Sequence, residues 1–128
     1  MKIKLTSIMV DDQAKALRFY TEVLGFQKKL DFPVGEYRWI TVFSPEGHPD
    51  VELALEPNAN PAGKAFQAAM FEQGIPVASF ESSDLAAEAR RLKEAGVVFT
   101  QEPADMGAVK TAIFVDTCGN LVQIHQPV

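Results

Sequence analysis

The side chains in this chain that could do chemistry are few: Glu52, Gln123, His125, His48 and Cys118, with Arg38 and Trp39 side by side. Glu52 lies in VELALEP and Gln123 with His125 in NLVQIHQP, both of which alternate apolar and polar residues as a half-buried strand does. Alternation puts Glu52, Ala54 and Glu56 on one row and Val51, Leu53 and Leu55 on the other. In the later segment Leu121, Gln123 and His125 oppose Val122 and Ile124. A carboxylate on a polar row can take a proton or anchor a cationic group; paired with a lysine or arginine at a sheet edge it does neither. The Gln123 amide can hydrogen-bond a ligand, and His125 stands two residues away on the same face.

Cys118 sits in DTCGN beside Asp116, with no base or cation nearby to draw off its proton, so it reads as a turn residue. His48, in PEGHPD between two prolines, reads as a solvated loop residue. Arg38 and Trp39 open one strand and must point to opposite faces. Trp39 on the ligand side would offer an aromatic wall; Arg38 there would favour an anion. The sequence leaves that choice open. It contains no Gly-rich phosphate loop, Cys/His metal cluster or serine-elbow motif.

The elements that must position these residues come in two similar sets. IKLTSIMV (3–10) is a strand, and Asp11 or Asp12 caps a helix running to Gly25, with Ala16, Leu17, Phe19, Tyr20 and Val23 or Leu24 as its apolar side. Strands FQKKLDF, YRWITVF and VELAL follow, separated by Pro-Val-Gly and Pro-Glu-Gly turns. The second half repeats the order. PVASFES is a strand, Ser83 or Asp84 caps a helix striped by Leu85, Ala89, Leu92 and Ala95, and Gly96 ends it. VVFTQ, VKTAIFV and NLVQIH complete the set. Between the halves lies a Pro/Gly/Asn-rich linker with a helix expected at AFQAAMFEQ, whose Phe66, Met70 and Phe71 have core-like spacing. The expectation is one α+β domain over 1–128: a β-α-β-β-β module at 1–57, a linker at 58–75 and a second module at 76–128, related by a pseudo-twofold axis. If the two sheets curve around a shared space, Glu52 and Gln123 enter it from symmetric positions.

Composition narrows the partners. The chain has 128 residues, is 47% apolar and 23% charged, and carries a net charge of −5. That balance suits an ordinary globular protein and disfavours a nucleic-acid partner. One cysteine cannot form an internal disulfide, which suits a reducing compartment. The apolar run LTSIMV is too short for a signal core or a membrane span, so a cytoplasmic location with no membrane partner is expected.

The paired modules, the run from Val10 and Asp12 to Phe19, Tyr20, Leu24, Gly25 and Phe26, and the turn Asp116, Gly119, Asn120 resemble the vicinal oxygen chelate superfamily, the group of glyoxalases, bleomycin-resistance proteins and extradiol dioxygenases. The likeness covers essentially the whole chain. It implies a homodimer and a small-molecule ligand in a cavity. Metal-dependent members of that family carry His, Glu or Gln at one first-strand and one last-strand position in each module. Here those positions are Leu5 and Val77, each seven residues before its helix-start aspartate, and Glu52 and Gln123. Leu5 and Val77 cannot bind a metal, and two oxygens fall short of the three protein ligands an open catalytic site needs. Thr6 or Ser7 would be poor substitutes, and His125 could join only by swinging in beside Gln123. The reading is therefore a small-molecule-binding protein with no cofactor, using Glu52, Gln123, His125 and Arg38 or Trp39. The alternatives are a divalent-metal-dependent lyase or dioxygenase of the glyoxalase type, and a metal-free acid–base isomerase or lyase with Glu52 as its catalytic base.

Overall fold

The computed structural model describes residues 1–128. In chain order the elements are β1 (Leu5–Val10), α1 (Gln13–Arg18, prolonged by a π-helical turn at Phe19–Val23), β2 (Gln27–Val34), β3 (Tyr37–Phe43), β4 (Glu52–Pro57), α2 (Pro61–Glu72), β5 (Ala78–Glu81), α3 (Leu85–Glu94), β6 (Phe99–Asp105), β7 (Val109–Val115) and β8 (Leu121–Pro127). They form two compact units, Met1–Ala65 and Phe66–Val128. Each holds a four-stranded mixed sheet, ordered β1-β4-β3-β2 in the first and β5-β8-β7-β6 in the second. This is the α+β architecture of two β-α-β-β-β modules that the sequence predicts. No helix is long and apolar enough to cross a membrane.

In the first unit β1 runs parallel to β4, and β3 and β2 add antiparallel. Asp12 starts α1 by accepting a hydrogen bond from the Lys15 amide at 3.1 Å. Ala16, Phe19 and Tyr20 are buried with Ile8, Val10, Ile40, Val42 and Leu55, so α1 covers the sheet face those strand residues share. The π turn has a local cause. Leu24 bonds back five residues to the Phe19 carbonyl, and the Thr21 hydroxyl donates to the Leu17 carbonyl at 2.6 Å.

Gln13 is also on that buried face, where the sequence pattern gave no place to a polar residue. Its amide nitrogen donates to the Arg38 carbonyl at 2.5 Å and the Leu55 carbonyl at 2.9 Å, and its oxygen accepts from the Arg38 amide at 3.0 Å. The β3–β4 ladder pairs only Thr41 with Ala54 and Val42 with Leu53. Gln13 supplies the missing partners where the two strands part.

The second unit repeats the plan. Asp84 caps α3 through the Ala87 amide at 3.1 Å, and Leu85, Ala89 and Leu92 pack on the sheet with Ala112, Phe114, Val122 and Ile124. The Gln126 side chain accepts from the Leu85 amide at 2.8 Å and ties the helix start to β8. Ala95, expected on the buried stripe, is exposed, because the helix ends before it at Glu94.

Two expectations need correction. The linker helix starts four residues earlier than its apolar spacing suggests, at Pro61, where the Asn60 carboxamide accepts from the Ala62 amide. Its Phe66 and Phe71 are exposed and Met70 half-buried, while Gln67 is the buried residue. The Gln67 amide donates to the Cys118 carbonyl at 3.0 Å and the Asn120 side-chain oxygen at 3.2 Å, which turns that face of the helix toward the DTCGN turn.

The second correction concerns register. In the first unit Leu5 lies across from Glu52 and Ser7 from Ala54; in the second, Ser79 lies across from Gln123 and Glu81 from His125. The helix-start aspartates make Ser7 equivalent to Ser79, so Gln123 corresponds to Ala54, and Glu56 to His125. Glu52 and Gln123 are not symmetric. The connection from β3 to β4, residues 44–51, is three residues longer than that from β7 to β8, residues 116–120, so the offset between equivalent residues falls from 72 at Ser7 and Ser79 to 69 at Ala54 and Gln123.

Candidate functional site

Residues directly across a sheet share a face, and successive residues alternate. The face of the first sheet away from α1 therefore carries Leu5, Ser7, Glu52, Ala54, Thr41, Trp39, Leu30 and Phe32. Leu5, Leu30, Phe32, Val34 and Tyr37 are exposed, and Trp39 is half-buried among them. The β2–β3 half of this face thus presents aromatic and aliphatic side chains, Thr41 and Ala54 are fully buried at its centre, and β4 places two carboxylates on it, Glu52 and Glu56. The Glu52 side chain is only 12% exposed; its Oε1 accepts from the Thr41 hydroxyl at 2.7 Å, and its Oε2 stands 4.0 Å from Lys29 Nζ.

The choice between Arg38 and Trp39 is settled by the register. Trp39 shares the face of Glu52. Arg38 points to the α1 side and holds Asp31 through two hydrogen bonds, Nε to Oδ1 at 3.0 Å and Nη2 to Oδ2 at 2.6 Å. The Arg38 hydrogen bonds keep the Asp31 carboxyl below the usual carboxylate range, and Asp31 in turn raises the guanidinium. An arginine so engaged is a strut between β2 and β3.

In the second unit the corresponding face mixes Ser79, Thr111, Gln123 and His125 with Leu121, Ile113 and Val115. The Gln123 amide donates to Ser79 Oγ at 2.9 Å, and Ser79 Oγ lies 2.7 Å from His125 Nδ1. A hydroxyl that accepts from Gln123 keeps one lone pair and its own hydrogen, so it can pair with Nδ1 in either tautomer of the ring. His125 Nε2, on the other side of the ring, is 3.9 Å from Glu81 Oε2. Thr111 lies across from His125 and accepts from the Gln101 side chain at 2.9 Å. The structure thus brings Gln123 and His125 together through Ser79, a residue the sequence reading passed over. The pattern did hold a signal for it, since Ser7 and Ser79 each stand five residues before their cap aspartates.

Cys118 is fully buried in its turn, and His48 is exposed in its loop. Asp116, also fully buried, organises that turn: Oδ1 accepts from the Cys118 amide at 2.7 Å and the Asn120 amide at 3.0 Å, and Oδ2 from the Asn120 carboxamide at 2.8 Å.

The metal-ligand positions known from the family do not fit a transition metal here. Leu5 beside Glu52 is a hydrocarbon, as is Val77, which leaves only the Glu52 carboxylate and the Gln123 carboxamide oxygen as donors. No three His, Cys, Asp or Glu side chains converge anywhere in the chain.

Two modules of this topology, each with an open face opposite its helix, define a known class. Residues 2–124 match the family model of the glyoxalase/bleomycin resistance protein/dioxygenase superfamily, and the chain belongs to that superfamily. It is 55% identical to the uncharacterized protein YurT of Bacillus subtilis (strain 168) over 126 residues, 98% of this chain and 99% of that one. Among solved structures, UcmS2 aligns at 32% identity with a TM-score of 0.84, covering 98% of this chain and 97% of that one. TnmS3, an antibiotic binding protein from Streptomyces sp. CB03234, aligns at 27% identity with a TM-score of 0.79, covering 100% of this chain and 97% of that one.

Proposed function

We propose that this protein binds a small aromatic molecule of the antibiotic type against the open face of its first sheet, without a metal, and that binding is its activity. The observation that carries the reading is the exposed apolar row of Leu30, Phe32, Val34 and Tyr37 around Trp39, on the same sheet face as Glu52. A surface of that kind on a folded unit marks a ligand or partner site. The likeness to the antibiotic binding protein TnmS3 supports the ligand class. The poor donor set supports independence from metal. The family resemblance and the exposed apolar residues also support a homodimer; sedimentation equilibrium should give about twice the 14.0 kDa chain mass, and a monomer at micromolar concentration would refute it.

Trp39 is the only tryptophan, so its emission reports this face alone. Titration with planar aromatic antibiotics should quench or shift that emission saturably, with the same dissociation constant with and without a chelator. Binding that requires an added divalent metal would overturn the metal-independent reading. Binding that leaves Trp39 emission unchanged would move the site elsewhere.

A further inference from the structure

The first unit already holds a cation where a ligand could place one. The β2–β3 register shifts between Lys28 and Leu30, so Lys29 is the extra residue of a bulge. Bulges re-aim a side chain, and here the ammonium reaches the open face. Its Nζ lies 5.9 Å from the centre of the Phe43 ring, 4.0 Å from Glu52 Oε2, and 2.9 Å from the Pro49 carbonyl. An alkylammonium over an aromatic face beside a carboxylate is a recognised way to bind an organic cation. The contacts to Phe43 and Glu52 are both at the long end of their ranges, and the Lys29 side chain is 36% exposed on a flexible stem. Thr41 fixes Oε1 of Glu52, which leaves Oε2 as the oxygen turned to the cation.

We infer that this face takes ligands that join an aromatic plane to an alkylammonium group, and that Lys29 is a tethered cation which the ligand's ammonium replaces beside Glu52. The inference rests on the binding reading above and adds the charge of the ligand. The net charge of −5 would draw such a ligand in. An anionic ligand would instead use Lys29 as its partner, so the two cases predict opposite effects of removing it.

The test uses a dansyl dye bearing a five-carbon amine tail (dansylcadaverine) and its N-acetyl derivative, which has the same ring and no charge. Binding is read from dye emission and from Trp39 quenching. The cationic dye should bind about tenfold more tightly than the acetylated one, a difference of about 1.4 kcal/mol. Glu52→Gln should erase that preference, so that the two dyes bind within about twofold of each other. Lys29→Met should tighten the cationic dye several-fold and leave the neutral dye unchanged. Circular dichroism and melting temperature establish that both variants are folded. Equal binding of the two dyes overturns the inference while leaving the binding reading intact. Weaker binding of the cationic dye to Lys29→Met overturns the replacement role. If neither dye binds below millimolar concentration, this face is not the ligand site and both proposals fall.

Discussion

Replacing Asp116 by alanine should cost about 3–4 kcal/mol of stability. The side chain is fully buried and receives three donors, the amides of Cys118 and Asn120 and the Asn120 carboxamide. Alanine removes the acceptor and leaves buried N–H groups that water cannot reach easily, and each such group costs about 1–3 kcal/mol. The losses do not simply add, because the turn can relax. Relaxation is limited by its surroundings. Gly119 has a φ of +98°, and a Cβ there would come within 2.8 Å of the Gln67 amide nitrogen, so the backbone is held in a conformation few residues adopt. Thermal unfolding should show a fall of roughly 10–15 °C in melting temperature. Asp116→Asn gives the control. Its carboxamide oxygen can still serve the two backbone amides, but its nitrogen would face the Asn120 nitrogen, so a smaller loss of about 1–2 kcal/mol is expected. An alanine variant within about 1 kcal/mol of the parent would refute the role of Asp116 as the organiser of the turn.

The same turn illustrates what a sequence does and does not reveal. The DTCGN motif identifies the superfamily, but its reason lies in packing: Asp116 and Asn120 satisfy one another, and Gln67, fifty-one residues from Cys118, seals the turn from above. Strands with clear alternation and punctuated ends were legible. Tyr37–Phe43 and Val109–Val115 have the bounds that their flanking turns suggest. Helix starts were legible for the same kind of reason, since a capping aspartate acts within three residues. What escaped depends on pairing across the sheet. The position equivalent to Gln123 is Ala54 and not Glu52 because loop lengths differ, and no local pattern encodes which residue a strand faces. Nothing in the local sequence marks Lys29; a bulge aims it at Glu52. Ser79 looked like an ordinary strand serine until register placed it between Gln123 and His125. The apolar floor was legible only in part. Alternation required one of Arg38 and Trp39 to join it, and Asp31, on the same face as Arg38, decided which.

Gln13 escaped because a glutamine on an apolar helix face looks like a solvated residue, and its substitution gives the second large effect. Gln13→Leu keeps the volume and apolar packing but leaves the Arg38 amide, the Arg38 carbonyl and the Leu55 carbonyl without their partner. The expected loss is about 2–3 kcal/mol, less than for Asp116 because the Arg38 groups are only partly buried and water can reach them. Gln13→Glu separates packing from hydrogen bonding. A carboxylate could accept from the Arg38 amide but could not donate to two carbonyls, so it should be at least as damaging as leucine. If glutamate or leucine is tolerated within about 0.5 kcal/mol, the side chain merely fills space. A functional readout accompanies the stability change. Gln13 spans β3 and β4 where their own ladder stops, one residue from Trp39 on the opposite face. Loss of that clamp lets the strands part there, and Trp39 emission should shift to the red in the folded variant as water reaches the ring. Asp116 substitutions, made in the other unit, should leave the emission of the folded protein unchanged. The contrast assigns Gln13 the positioning of the aromatic floor, over and above its share in holding the helix to the sheet.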